Sequence, residues 1–355
     1  MLWKGKRRGV GSNRLLAPDF FFGDLMRKFK HIDAHTVQEV VNALRAYAGR
    51  AWIIAGGTDL LGKMKDEILA KYPEALINIK TIRGLEFIKE EAGVLKIGAL
   101  TPLAEIERNP AVRMKYAALA DSAGRTASPQ IREMGTLGGN LCQDIRCWYY
   151  RNPDNRFPCL RKGGGRCYAI DGDNRYHSIM GGSVEGGCYA VHPSDTAPAL
   201  VALNARVLTS RRTIHAEDFF QVDVGKTTVL DPDEIVTEIH VPRPPKSSRS
   251  VFLKFAIRKS IDFPIVNCAA MIGTSSGKVT AARICLNAIS VKPYRAEKAE
   301  AALLNRRINE KLAEAASIAA LSDAKPMKRN GYMVQIARVL VKRAILACTE
   351  PGEPK

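Results

Sequence analysis

The chain has 355 residues, with 54 Lys and Arg against 36 Asp and Glu and a formal charge of +18, a length that predicts two or three domains of ~100–200 residues each. Hydrophobic residues make up 46% and charged ones 25%, which excludes disordered, collagen-like and coiled-coil classes and leaves a soluble globular protein with a real core. No apolar run reaches the ~18–20 residues of a membrane span, and no signal-peptide segment follows the basic Lys6-Arg7-Arg8, so a cytoplasmic location is expected.

Residues 1–25 are basic and without periodicity; they read as a leader, either a flexible tail or a misassigned start. Thr36-Val-Gln-Glu39 has the capping-box pattern, and Val37, Val40, Val41 and Leu44 follow at helical spacing. Trp52–Ile54 reads as a short buried strand running into Ala55-Gly-Gly-Thr-Asp-Leu60. Leu76–Ile79 and Val94–Leu100 read as further strands. Thr101-Pro102 is a helix start with proline at the first helical position, and that helix ends before Pro110. From Asn140 to Ser194 periodicity fails: a glycine triplet, two glycine pairs and several arginines mark a long loop, which in a compact domain is usually functional or disordered. Its aromatics, Trp148, Tyr149, Tyr150, Phe157 and Tyr168, argue against disorder. Pro242-Arg-Pro-Pro245 and the polar stretch after it predict a domain boundary, giving domains at 26–245 and 246–355. Beyond it, Ser250–Ile257, Ile265–Gly273 and Val279–Ile289 resemble antiparallel strands, and helices are expected over about 295–322 and 332–347.

Five of the eight cysteines, Cys142, Cys147, Cys159, Cys167 and Cys188, fall in that loop. Clustered thiols in a reducing compartment point to a metal site or redox chemistry before structural disulfides. Cys268, Cys285 and Cys348 lie singly on apolar stretches and read as small buried hydrophobes.

Two glycine turns could carry ligand chemistry. Gly57-Thr-Asp-Leu-Leu-Gly62-Lys63 has the glycines and lysine of a Walker A loop, but Met64 stands where a Ser or Thr would hold Mg²⁺. No Gly-x-Gly-x-x-Gly fingerprint is present. Gly135-Thr-Leu-Gly-Gly-Asn140 is the second turn. Paired glycines let backbone N–H groups approach a pyrophosphate closely, so together the turns suggest a dinucleotide held outside a Rossmann fold. Asp59 could be a general base, a helix cap or a hydrogen-bond partner of the cofactor. His177 and His192 read as structural hydrogen-bonding residues rather than chemical ones.

Ala55-Gly-Gly-Thr-Asp-Leu60, Ile131-Arg-Glu-Met-Gly-Thr-Leu-Gly-Gly-Asn140 and His192-Pro-Ser-Asp195 resemble the FAD-binding subunit of the xanthine dehydrogenase/molybdenum hydroxylase family. The resemblance covers about residues 26–348. It implies an α+β fold: a two-lobed FAD-binding domain of the PCMH/CO dehydrogenase flavoprotein type, plus a C-terminal antiparallel sheet with helices. It implies cofactor contacts from Ile54, Ala55, Gly56, Gly57, Thr58, Asp59 and Leu60, and from Thr136, Gly138, Gly139 and Asn140. Asp195 corresponds to an acidic residue near the flavin end, and Lys254, followed by Arg258 and Asp262, to the opening of the C-terminal domain. Where the family often has Asn-Met-Ala, this chain has Glu133-Met134-Gly135.

The loop at 141–191 looks like the insertion of 4-hydroxybenzoyl-CoA reductase β subunits and of bacterial aldehyde oxidoreductase FAD subunits. That likeness implies a [4Fe–4S] cluster on Cys147, Cys159, Cys167 and Cys188. Four thiolates also suit Zn²⁺, although structural zinc usually has paired Cys-x₂₋₄-Cys spacing; Cys142 remains an alternative to Cys147. The Cys-x₄-Cys-x₂-Cys pattern of a [2Fe–2S] centre is missing, so the implied partners are a large molybdenum-cofactor subunit and a small [2Fe–2S] subunit. An external acceptor or donor completes the electron path, whose direction, toward or away from molybdenum, stays open. The rivals are a basic nucleic-acid-binding protein, which the charge fits but no recognition motif supports, and a stand-alone flavoprotein oxidase of the vanillyl-alcohol type.

Overall fold

The computed structural model describes residues 26–183, 187–223 and 225–349, so the leader expected at 1–25 lies outside them. A small parallel sheet comes first. Strand β1 (Lys30–Asp33) leads through helix α1 (Val37–Tyr47) to β2 (Ala51–Ile54), and a short helix α2 (Leu60–Lys65) leads on to β3 (Ala75–Asn78). Strand β3 lies in the middle, parallel to both neighbours. Thr36 caps α1 as expected, its Oγ1 accepting from the Glu39 amide at 3.1 Å. Glu39 reaches back to the amide of His35 at 2.8 Å, one residue earlier than the capping box prescribes. Val40 and Leu44 pack on Ala75 and Ile77 of β3. Trp52 is only half-buried, so β2 is not the fully buried strand its apolar run suggested.

A five-stranded antiparallel sheet forms the second lobe, in the order β4 (Ile88–Glu91), β5 (Val94–Gly98), β10 (Val236–Pro242), β6 (Arg206–Thr209), β7 (Thr213–His215), with the hairpin of β8 (Phe220–Asp223) and β9 (Lys226–Thr228) beside it. Short helices follow β5: α3 (Leu103–Arg108), α4 (Pro110–Lys115), α5 (Ala117–Gly124), α6 (Pro129–Met134) and α7 (Leu137–Leu141); α8 (Thr196–Ala202) comes after the long loop. Pro102 is the cap of α3 with an extended backbone, not its first helical residue, whereas Pro110 occupies the first turn of α4. Between α7 and α8 the described residues hold two single-turn 3₁₀ helices and no named strand.

The C-terminal part is a four-stranded antiparallel sheet, β11 (Ser248–Phe255), β12 (Val266–Ser275), β13 (Lys278–Asn287) and β14 (Tyr294–Arg295), covered by α9 (Glu297–Leu303), α10 (Glu310–Ala320) and α11 (Tyr332–Ala347). The single helix expected over 295–322 is two. Asn305 adopts φ +62° between them, and Asn309 starts α10 afresh by accepting from the Leu312 amide at 2.8 Å. The helices seal one face of this sheet. The other face joins the second lobe's core, where Phe252, Ala269 and Met271 meet Leu119 and Leu200. Among the described residues no helix is long and apolar enough to cross a membrane.

Candidate functional site

The two glycine turns meet. A Cβ on Gly56 would stand 2.0 Å from the Met134 carbonyl oxygen, backbone that cannot yield, so this position admits only hydrogen. Gly57 takes φ +69°, in the region that favours glycine. The second turn is held by a backbone ladder: Leu103 N donates to Gly135 O (2.9 Å), Leu137 N to Thr101 O (3.0 Å) and Gly138 N to Ala99 O (2.9 Å). Thr136 Oγ1 accepts from the Gly139 amide at 3.1 Å, starting α7. Glu133 pairs with Arg108 at 3.0 Å, and a Cβ on Gly135, where alanine was expected from the resemblance, would stand 3.0 Å from Ile131 O.

Between the turns lies a cavity of about 560 Å³, inside the range of small-molecule and cofactor pockets. Its walls include every predicted residue of both turns, Ile54 to Leu60 and Thr136, Gly138, Gly139 and Asn140, together with Ile131, Asp144, Arg146, Glu234 and Phe263. Asn140 Oδ1 accepts from Ser194 Oγ (2.5 Å) and Thr196 Oγ1 (2.7 Å), which fixes the side-chain amide. Asp195 and Lys254 come together, Lys254 Nζ to Asp195 Oδ2 at 2.7 Å, but neither lines the cavity. Asn267 Nδ2 donates to Asp195 Oδ1 at 2.8 Å. Burial pushes the Asp195 carboxyl up against the pull of Lys254. Arg258 and Asp262 pair with each other at 2.5 Å.

Asp59 sits at the start of α2 but caps nothing with its side chain. It is held instead by Arg151 (2.8 Å), Arg146 (3.5 Å) and the Asp144 amide (3.0 Å). Burial alone would raise its pKa; Arg151 and Lys63 outweigh that and hold it below the usual carboxylate range, which favours the ionised form. Burial and Arg151 lower Arg146 to about 10, and its guanidinium lies 3.8 Å from the centre of the Phe263 ring.

Cys147, Cys159, Cys167 and Cys188 line a second pocket with Ile145, Tyr149, Tyr150, Leu160 and Tyr168. Cys147 and Cys188 are brought together by a bridge between Arg146 and Val191, which exchange backbone hydrogen bonds at 2.9 and 3.0 Å. Cys159 and Cys167 approach across a tight turn in which Leu160 N donates to Arg166 O at 2.8 Å. The glycine triplet is what permits it: Gly163 has φ +86°, and a Cβ on Gly164 would stand 1.9 Å from Pro158 O. All four are free thiols. Burial raises Cys147 to about 12 and shifts Cys159 and Cys188 the same way. Burial thus favours the neutral thiol at these three, and a cation in the pocket would favour the thiolate. Ligands of one zinc at ~2.3 Å would stand about 3.8 Å apart. Among the described residues no group of three or more His, Cys, Asp or Glu side chains is placed to hold a metal ion.

Cys142 is exposed and lines the cavity and not the thiol pocket. Cys268, Cys285 and Cys348 are buried in the C-terminal sheet and helices. His177 Nε2 lies 3.2 Å from Cys147 Sγ, and His192 Nδ1 lies 3.1 Å from Asn287 Nδ2. Burial lowers the two rings to about 4 and about 3, which keeps both neutral at pH 7. Asp144, Tyr150 and Lys63 were not among the expected site residues. The signal for the first was the alternation Asp144-Ile145-Arg146-Cys147 inside a stretch otherwise without period.

Residues 27–244 match the family described as the FAD binding domain in molybdopterin dehydrogenase, and residues 251–348 the CO dehydrogenase flavoprotein C-terminal domain. The aldehyde oxidoreductase FAD-binding subunit PaoB of Escherichia coli is 35% identical over 289 residues, 78% of this chain and 86% of its own length. The carbon monoxide dehydrogenase medium chain of Hydrogenophaga pseudoflava is 27% identical over 325 residues, 90% of this chain and 96% of its own. A solved structure of carbon monoxide dehydrogenase from that organism superposes with TM-score 0.72 at 26% identity, covering 91% of this chain and 98% of that one. Nucleic-acid binding and the stand-alone oxidase fit these findings less well. The chain therefore belongs to the xanthine dehydrogenase/CO dehydrogenase family, as an FAD-binding medium subunit of the molybdenum hydroxylase type of oxidoreductase.

Proposed function

We propose that FAD occupies the cavity between the glycine turns and that the thiol pocket holds a [4Fe–4S] cluster. Residues 26–245, with the loop at 141–191, would form the flavin-binding part and residues 246–355 its cover. The pyrophosphate is gripped from two sides, by the backbone of Gly56–Leu60 and by that of Thr136–Asn140. The observation that carries this reading is the contact of Gly56 with Met134, which places both turns on one cavity. Asp195 and Lys254 pair with each other outside the lining of that cavity and tie the start of α8 to β11. For the cluster, the support is the donor set: four thiols, free and enclosed by apolar and aromatic walls. When bound, the two groups supply the redox chemistry; the chain's residues bind them, orient them and exclude water. In the complete enzyme we place this chain beside a large molybdenum-cofactor subunit and a small [2Fe–2S] subunit, exchanging electrons with an external acceptor or donor. The free state of all eight cysteines supports a reducing, cytoplasmic setting.

Anaerobic purification with flavin and iron analysis tests this directly. The expected result is an oxidised-flavin band near about 450 nm and about four irons per chain. Absence of flavin overturns the cavity assignment; flavin without iron leaves that assignment and removes the cluster. Cys159→Ser is expected to lose iron while flavin is retained when FAD is in excess. Loss of both at saturating FAD would mean that the loop holds the whole domain together.

A further inference from the structure

One stretch of chain serves both pockets. In Asp144-Ile145-Arg146-Cys147 successive side chains face opposite ways, as in a strand: Asp144 and Arg146 line the large cavity, Ile145 and Cys147 the thiol pocket. Tyr150 lines both. Its ring lies among the thiols, and its hydroxyl donates to Asp144 Oδ2 at 2.5 Å. The same oxygen takes Lys63 Nζ at 3.2 Å, and Lys63 belongs to α2, the helix that the first glycine turn opens. Arg151 closes the circuit, donating to the carbonyls of Asp144 (2.8 Å) and Ile145 (3.0 Å) while pairing with Asp59. A continuous set of hydrogen bonds thus runs from the wall of the thiol pocket to the first glycine turn.

Resting on the cofactor assignment above, we propose that Tyr150 is a positioning residue that couples the two sites: through its hydrogen bond to Asp144, the filling of the thiol pocket sets the geometry of the first glycine turn, and iron and FAD bind with positive cooperativity. A filled thiol pocket fixes the ring. A fixed ring holds the hydroxyl on Asp144, and Asp144 holds Lys63 and α2 in place. Without the group, that restraint on the ring is absent. The coupling is reciprocal by linkage, so FAD also tightens the hold on iron.

The test is FAD affinity, measured by flavin fluorescence on the full chain with iron loaded and after iron is chelated, for the wild type, Tyr150→Phe, Asp144→Asn and the double variant. The wild type is expected to bind FAD about tenfold more weakly without iron, equivalent to about 1.4 kcal/mol of coupling. Each single variant is expected to bring that ratio to within about twofold of unity while still taking up iron, and the double variant to add nothing further, because both substitutions interrupt the same path, Tyr150→Phe at its hydroxyl and Asp144→Asn at the charge that holds Lys63. A tenfold ratio that survives in Tyr150→Phe overturns the proposal, as does a ratio of one in wild-type protein carrying its iron; both leave the cofactor assignment standing. A wild-type chain that takes up no iron overturns both. If Asp144→Asn does not fold, Tyr150→Phe, which keeps the ring, decides alone.

Discussion

At the scale of single residues, what a glycine is for depends on what lies across from it. Gly56 and Gly62 are six positions apart, yet a Cβ on Gly56 would strike Met134 O at 2.0 Å and a Cβ on Gly62 would meet nothing within 4 Å. Gly56→Ala is therefore expected to cost about 2–3 kcal/mol, as overpacking against backbone does, and to lower the flavin retained per chain by at least half. Gly62→Ala, inside α2, is expected to leave both unchanged or slightly improved, since alanine favours helix. Thermal melts and the flavin-to-protein absorbance ratio compare the two; equal behaviour would remove the steric argument. The glycine pair was legible in the sequence as a close-approach turn. Its obstacle was not, because Met134 is far along the chain and is an ordinary residue whose carbonyl does the work.

Between elements, Glu234 shows how an acidic side chain can act as a clasp. Its carboxylate is enclosed and accepts from Arg212 Nε (3.0 Å) and Nη2 (2.9 Å), Thr209 Oγ1 (2.6 Å) and the Asp231 amide (3.0 Å). That ties the β6–β7 hairpin to the turn that starts β10, on a wall of the large cavity. Burial opposes the charged form, but Arg212 and Thr209 prevail and the carboxyl stays below its usual range. A depressed carboxyl contributes stability above its unfolded value of about 4.3, and that contribution is lost as the pH falls through the folded value. Glu234→Gln is expected to be about 2 kcal/mol less stable at pH 7, with the gap to wild type narrowing between about pH 5 and pH 3. Melting temperatures across that range decide it, and a gap that stays constant would mean the charge is not what holds the hairpin. Nothing in the local sequence marks Glu234, since its side-chain partners Arg212 and Thr209 come from a different strand pair. The long loop was better marked. Lost periodicity, a glycine triplet and grouped thiols announced it, whereas the Arg146–Val191 bridge that shapes it depends on a register between distant segments.

Across the whole molecule, the N-terminal lobes and the C-terminal sheet share a core and one buried ion pair. Lys254 on β11 and Asp195 at the start of α8 are almost fully enclosed, with side chains 8% and 3% exposed. Removing one member of such a pair leaves a buried charge unmatched, typically at about 3–5 kcal/mol. Lys254→Met is expected to destabilise by that order in urea unfolding, and Lys254→Met with Asp195→Asn to recover at least half of the loss, because a neutral amide needs no counter-charge and still meets Asn267. Equal stability of the single and double variants would show that Lys254 acts through packing alone. Strands β2, β3, β5 and β11–β13 and both turns could be read from hydrophobic runs and glycine placement, whereas the α+β architecture came from the family resemblance and β1, β4, β6–β10 and β14 were not anticipated. The division of the expected helix over 295–322 and the seat of Asp195 outside the cavity could not be read, since each is settled by packing that no local window contains.

Because Gly56 meets Met134 only across nearly eighty intervening residues, the grip on a dinucleotide is a late event in the life of each molecule. A ribosome adding ~5–20 residues per second exposes the first turn about 4–16 s before its counterpart exists, and the thiol-lined wall closes only after Val191 has also emerged. During that interval the young parallel sheet presents a half-built cleft with nothing to hold it shut. On the proposed assignment, flavin is expected to join only after both turns have emerged, and chain made without FAD is expected to lack the flavin absorbance.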